Sequence, residues 1–424
     1  MRCLMMMLLM THSAAAGDWP SWRGLGRNGV VDEPSDWSDG RWTLSDEAWR
    51  AEVGEGSSSP VVVGDRLFAF GWRDGQDVLT CLHADTGERL WEQSTPAPRY
   101  GRHARGDEGL YAGPCSTPEF DPETGLIHTL SLDGDLIARD VQQAGRIRWR
   151  RNLYDDFDAP VRPKVGRSAH RDYGYTSSPL VLSNWLIVEV GAPEGNLMAF
   201  DKRTGERVWA SRDASSAGHN GGPVPMLVDG VQCVAVHNFA GLLVVRTDDG
   251  HVGETVAAVP WVTDFANNIA TAAVFQNNVV ATSSYNQHRM ARFRVTLAGG
   301  AETIWDIPQA SKVCSPVIVD GHVYWAWNEV ACVDFETGAV RWQGGQTGDA
   351  GSLIATNDQR LILWSGRGRL SLLDQAGRSP DELRILAERD VFQQADAWPH
   401  VVLSNGRLYC KDRTGAIVCI RQPR

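Results

Sequence analysis

Apolar residues along the chain fall into short runs separated by Gly, Asp and Asn, and the runs recur in a fixed order. A first run follows a Ser-Pro or similar start, and a Gly/Asp turn leads to a second. A third ends in Asp-x-x-Thr-Gly or a close variant, with Trp four residues after the Gly. The clearest copies are Ser58 to Trp91, Ser177 to Trp209 and Cys314 to Trp342. Weaker copies fill the gaps. Residues 116–149 keep Trp149, 222–256 carry Glu254 where Trp is expected, and 270–305 lose the Thr-Gly turn but keep Trp305. Residues 352–387 lose both Thr and Trp, and 398–420 supply only three strands. The missing strand lies at the other end of the chain, where Trp49 to Gly54 reads as the last strand of a block with nothing before it. The pattern predicts an all-β, eight-bladed β-propeller of four-stranded blades over residues 42–422. The ring closes when the N-terminal strand pairs with the C-terminal three. The Gly supplies a left-handed turn position, and Trp49, Trp91, Trp149, Trp209, Trp305 and Trp342 are expected in the core, each covering its neighbour's sheet.

Ahead of the ring, Arg2, the apolar run Cys3 to Met10, and Ala14 and Ala16 read as a signal peptide over residues 1–16. The mature chain is expected to be soluble and periplasmic or secreted, and Cys3 precedes the apolar run, so it is not a lipid-bearing Cys. Residues 17–41 form an N-terminal arm, with Trp19, Trp22, Trp37 and Trp42 at or near it, expected to wrap the outside of the ring. Trp325, Trp327 and Trp364 are expected between blades, which leaves Trp261 and Trp398 as candidate recognition aromatics.

Charge and cysteine content narrow the chemistry. With 41 Lys plus Arg against 52 Asp plus Glu, the net charge is −11, which argues against nucleic acid as a partner. The cysteines beyond the leader (Cys81, Cys115, Cys233, Cys314, Cys332, Cys410, Cys419) form no CxxC pair, so zinc, redox and haem-attachment motifs are absent. Cys410 and Cys419 flank the turn Asp412 to Gly415. They face each other as a disulfide if that turn has two residues, and do not if it is bulged. The histidines are scattered, and His128, His237 and His322 read as structural.

The A-x-D-x-x-T-G-E-x-x-W pattern, complete at Ala199, Asp201, Thr204, Gly205, Glu206 and Trp209, resembles the tryptophan-docking motif of the pyrroloquinoline quinone repeat proteins. These are quinoprotein-type eight-bladed propellers, and they include quinone-dependent alcohol dehydrogenases and the outer-membrane assembly factor BamB. The resemblance covers nearly the whole mature chain. The opening Asp18 to Val30 also resembles the arm of exported members of this family. The matching residues are scaffold, so they speak for the fold more than for the activity.

Two sets of residues are candidates for function. In a four-stranded propeller the loops between blades share a face with the second-to-third strand turns. Two long loops there carry Tyr100, Arg102, His103, Arg105 and Tyr111, and Arg167, His170, Arg171 and Tyr173, a composition suited to anionic or polar partners. A second set converges on the central channel: His219, Asn220, Asp264, Asn267, Asn268, Lys312 and Trp398. Such groups either hold a cofactor or cation, with Asp264 and Asn267 as a calcium pair, or satisfy backbone at the strand starts. The resemblance implies pyrroloquinoline quinone and calcium for an enzymatic member. This chain lacks the adjacent Cys-Cys, the haem motif and the large insertions of catalytic forms, and it has no HExxH, GxSxG or GxxxxGK[ST]. No catalytic residue, metal or cofactor is therefore expected. The reading is a monomeric binding or scaffolding propeller with protein partners in the cell envelope. Its alternatives are a quinone- and calcium-dependent dehydrogenase and a carbohydrate or small-ligand binding propeller.

Overall fold

A computed structural model describes residues 17–98, 112–160, 174–263, 267–348, 351–366, 368–393 and 396–422. Eight antiparallel sheets succeed one another along the chain. The first blade shows the plan: Val61–Val63, Arg66–Arg73, Gln76–His83 and Arg89–Pro96, each pairing with the next. In the sixth, the second and third strands merge into one bent strand, His322–Asp334, with Asn328 at the corner at φ 60°. In the eighth, Ala416–Arg421 pairs with Glu47–Glu52 from the other end of the chain, with Trp49 opposite Cys419. This pairing gives the last blade its fourth strand.

Every blade carries the same backbone device. The pairing of third and fourth strands slips by one residue between Cys81 and Leu82, Ala138 and Arg139, Ala199 and Phe200, Arg292 and Phe293, and Cys332 and Val333, and likewise in the other three blades. Each slip is a β-bulge just before the repeat position, and it turns that side chain towards the next blade. The residues so placed are Trp49, Trp91, Trp149, Trp209, Ala257, Trp305, Trp342 and Ala387. In the fourth blade the repeat position is thus Ala257 and not Glu254, because the turn before it is longer.

The indoles dock on the following blade's turn. Trp49 donates to the Ala84 carbonyl (3.0 Å), Trp149 to Lys202 (3.1 Å), Trp305 to Phe335 (2.8 Å) and Trp342 to Ser379 (3.1 Å). Gly87, Gly145, Gly205 and Gly338 lie flat against Trp49, Trp91, Trp149 and Trp305, so close that a Cβ would stand 2.6 to 2.9 Å from ring atoms. Glycine is therefore required twice at these turns, for φ near 75° and for the approach of the ring. Two indoles depart from the pattern. Trp91 is only half-buried, and Trp209 packs edge-on against Trp185 with no acceptor for its Nε1 among the described residues.

A second belt runs around the channel and accounts for the Ser-Pro starts. The Ser59 amide donates to Thr117 Oγ1 (3.1 Å) and the Thr117 amide to Ser178 Oγ (2.9 Å). The Thr271 amide donates to Ser315 Oγ (2.9 Å), Val401 to Ser352 Oγ (3.0 Å) and His400 to Ser59 Oγ (2.7 Å). Each hydroxyl thus ties one blade's first strand to that of a neighbouring blade.

The arm does not wrap the outside. Residues 17–31 enter the central channel. Trp19 pairs with Val62 of the first blade, Pro20 accepts from the Phe120 amide of the second, and Val30 bridges to Ala355 of the seventh. The Trp22 indole donates to Thr271 Oγ1 of the fifth blade (3.0 Å). Both ends of the insertion leave by the face that carries the first-to-second strand turns, where Gly17 and Glu33 bond to Asn405. Backbone pairing with three blades and the burial of the Trp19 ring hold the arm there, against the cost of burying Arg23 and Arg27. Only the later hairpin, Trp37–Ser38 with Arg41–Trp42, lies outside, against the seventh and eighth blades.

Other expectations resolve as follows. Cys410 faces Val418 and Tyr409 faces Cys419, because the turn is bulged, and the two cysteines are free thiols. Trp261 is wholly buried under Arg289, 4.2 Å from its ring, so it is not available for recognition. Trp325 and Trp364 are buried, whereas Trp327 is half-exposed beside His288. His128 is buried and structural, its ring nitrogens facing the Glu119 and Lys202 carbonyls.

The docking geometry predicts that Gly205→Ala lowers stability by about 2–4 kcal/mol. Gly230→Ala, at an equally left-handed but open turn, should cost only about 1–2 kcal/mol. Urea midpoints of the two variants measure the difference, and equal midpoints would refute a steric role for the indole. His400 packs between the arm's Trp19 and Trp22, and burial pushes its pKa down from 6.5 to about 3. Its contribution is present above pH 6.5 and lost as pH falls towards 3, at up to about 1.4 kcal/mol per unit. Between pH 7 and 5 the wild type should lose about 1–2 kcal/mol more stability than His400→Gln, read from denaturation at both pH values.

Candidate functional site

The inserted arm closes the channel below the loop-bearing face and leaves a cavity of about 100 Å³ at its mouth. Trp22 contributes from the arm. Segments that precede first strands supply Ser57, Cys115, Thr176, His219, Asn220, Asn267 and Trp398. Second-to-third strand turns supply Tyr285 and Arg413. Connections between blades and second-to-third turns do therefore share one face.

A buried carboxylate positions one wall. Glu189 stands in the middle of the apolar strand Trp185–Ala192 and accepts from the Gly218 amide (2.9 Å) and from Asn220 Nδ2 (2.7 Å). Asn220 Oδ1 in turn accepts from the Gly222 amide (2.8 Å), and its carbonyl from Thr176 Oγ1 (3.2 Å). His219 Nδ1 meets Asn267 Oδ1 at 3.0 Å, which joins the loops on either side of the fourth blade. On the opposite wall the Arg413 guanidinium lies 4.9 Å from the centre of the Trp398 ring and pairs with Asp396 (2.5 Å). Burial pushes the Asp396 carboxyl up, against the pull of Arg413. Lys411 is buried nearby, donating to the Gly56 carbonyl (2.6 Å), and burial brings its pKa down to about 8.

Of the channel set, His219, Asn220, Asn267 and Trp398 do line one cavity. Asn268 does not, since its amide is engaged by the Asn238 and Trp261 carbonyls at 2.9 and 3.1 Å and it braces the loop. Lys312 sits beside the Tyr285 ring, 6.0 Å from its centre, outside the lining. Asp264 lies outside the described residues, as do Tyr100, Arg102, His103, Arg105, Tyr111, Arg167, His170, Arg171 and Tyr173. Sequence reasoning missed Trp22, Tyr285, Arg413 and Glu189. Only Glu189 carried a signal, a lone carboxylate in the run LIVEV.

The described residues supply no ligand set for a calcium-bound quinone, and Asp264, the expected calcium ligand, lies outside them. Among the described residues the lining holds no carboxylate for a hard cation, and no group of three His, Cys, Asp or Glu is placed to hold a metal. Its one guanidinium is already paired. The arrangement offers flat aromatic surface, amides and an imidazole, which suit binding.

Comparison with known proteins agrees with the architecture. The family profile described as outer membrane protein assembly factor BamB matches residues 43–173 and 123–344. The BamB of Burkholderia pseudomallei is 25% identical over 188 residues, 38% of this chain and 45% of that protein. That of Bordetella pertussis is 29% identical over 170 residues, 38% of this chain and 32% of that protein. The chain thus spans less than half the length of these curated relatives. Among solved structures, BamB from Moraxella catarrhalis superposes with a TM-score of 0.60 at 15% identity, over 89% of this chain and 100% of that one. The quinohemoprotein alcohol dehydrogenase of Comamonas testosteroni gives 0.64 at 14% identity, over 97% and 82%. At these identities the structures speak for the fold alone. With matches running from residue 43 to residue 344, the chain belongs to the BamB family of quinoprotein-type propellers.

Proposed function

We propose that this protein is an exported, non-catalytic propeller of the cell envelope that binds protein partners through the face carrying the channel mouth. The observation that carries this reading is the state of the mouth itself. Its polar groups are engaged with one another, as in His219 with Asn267 and Asn220 with Glu189, and its floor is a Trp from the protein's own arm. A catalytic site instead needs an acid, base or nucleophile aimed at open space. Trp398 under Arg413, with Tyr285 across the cavity, supplies the aromatic and guanidinium surface that protein interfaces favour. The names of the relatives, assembly factors for outer membrane proteins, point to envelope assembly proteins as the partner class. Among the described residues no helix is long and apolar enough to cross a membrane.

Two titrations separate this reading from the enzymatic one. The full chain, titrated calorimetrically with pyrroloquinoline quinone with and without calcium, should give no saturable heat. Micromolar one-to-one binding would restore the dehydrogenase reading. Titrated with the periplasmic portions of outer-membrane assembly proteins from its own organism, the chain should bind one of them, and Trp398→Ala should weaken that binding at least about tenfold. If no such protein binds, or if Trp398→Ala leaves its affinity intact, the proposed face is wrong.

A further inference from the structure

The central channel contains charges that do not cancel. Arg27 is paired through both terminal nitrogens, donating to Glu119 Oε2 (2.9 Å) and to the Pro179 (2.7 Å) and Ser178 (3.2 Å) carbonyls. Burial pushes the Glu119 carboxyl up to about 7, and Arg27 opposes that rise. Arg23 has no such counterpart. It is wholly buried, and only its Nη2 is bonded, to the carbonyls of Asn28 (3.0 Å) and Pro316 (2.5 Å). Its Nε and Nη1 have no acceptor among the described residues. The groups acting on its charge are the Cys314 thiol and the like charge of Arg27.

Neither neighbour can supply the missing negative charge. Cys314 is buried, and its thiol is pushed up to about 11, so it stays protonated at neutral pH. His400, which also feels Arg23, is held neutral. Arg23 itself, lowered to about 10 by burial, still carries its proton at pH 7. A guanidinium in the interior without a counter-charge is among the costliest arrangements a protein can hold, since carbonyl dipoles offset only part of the lost hydration. The arm nevertheless places it there, between Trp22, which lines the mouth cavity, and the bridge of Val30 to Ala355.

We propose that a small monovalent inorganic anion, chloride in ordinary salt, binds in the channel against Arg23 Nε or Nη1 and neutralises the buried guanidinium. One negative charge would offset the single guanidinium of Arg23, whereas a divalent anion would exceed it. Trp19 Nε1 and Arg27 Nε, also buried on the arm, likewise have no acceptor among the described residues. A ligand that only accepts hydrogen bonds suits this surplus better than a carboxylate-bearing metabolite of greater bulk. Trp22 and Val313, the chain neighbours of Arg23 and Cys314, both line the mouth cavity, while Arg23 itself lies beneath the lining. The anion would thus complete the seat of the arm, independently of what binds on the face above.

Crystals of the full chain grown in bromide test this directly. An anomalous peak within hydrogen-bonding distance of Arg23 Nε or Nη1 is expected, and water at those atoms with no peak would overturn the proposal. In solution, exchange of gluconate for chloride at constant ionic strength should raise the melting temperature saturably, by about 1–3 °C at ten times the dissociation constant. Arg23→Met, which keeps the length of the side chain without its charge, should abolish that dependence. An equal rise in both proteins would mark a general salt effect and reject the site. If Arg23→Met does not fold, the bromide crystal of the wild type decides alone.

Discussion

Four of the eight seams of the ring rest on one contact, an indole from the outer strand of one blade laid against a glycine in the turn of the next. A four-stranded sheet of this size cannot bury both faces by itself, so each blade needs its neighbour to complete a core. The contact fixes the spacing between blades, because the ring meets backbone with no Cβ between them, as Trp149 does at Gly205. It also explains why a complete repeat carries both a Gly and a Trp, the first to receive an indole and the second to offer one. The bulge before the repeat position turns the side chain outwards, and it persists where the indole is gone, at Ala257 and Ala387. Backbone geometry is thus the more general device, and the indole is its commonest occupant.

Where the indole is missing, the molecule fills the gap from elsewhere. The blade after Ala387 is the closing one, whose third and fourth strands come from opposite ends of the chain and share no turn. No docking glycine exists there. Trp37 and Trp42 of the N-terminal hairpin pack into the same apolar cluster as Ala387, and the Ser45 amide bonds to the Arg421 carbonyl. The closing seam is therefore covered by the segment that leads into the closing strand. Seating the seam and plugging the channel are two tasks of one stretch, residues 17–45, and both depend on side chains that no blade supplies.

This division explains what was legible in the sequence. The repeat is local in the chain, so blade number, strand order, the closing strand and the glycine turns could be read from Asp-x-x-Thr-Gly and Trp spacing. The arm's course could not, because WRGLGRN pairs with residues hundreds of positions away. Trp22 reaches Thr271, and Arg27 reaches Glu119 and Pro179. Nothing in the local pattern distinguishes an indole bound for a channel from one bound for a rim. The mouth was legible in part. His219, Asn220, Asn267 and Trp398 follow from their place before first strands, whereas Tyr285 and Arg413 sit on short turns whose tilt over the channel is a tertiary property. The cysteine pair turned on a single residue of register, which the length of the Asp412 to Gly415 turn decides.

The same division limits what family membership carries. The match to the family begins at residue 43 and ends at 344, so it contains the docking tryptophans and none of the arm. The floor of the mouth cavity and the charges in the channel both come from residues 17–31. Family membership of the blades therefore accounts for the scaffold and does not extend to the arm in the channel. Two propellers with the same ring can present an open shaft or a closed cup, according to whether an arm enters from below. In this protein the arm that closes the cup carries two buried guanidiniums, and they set the chemistry of the channel.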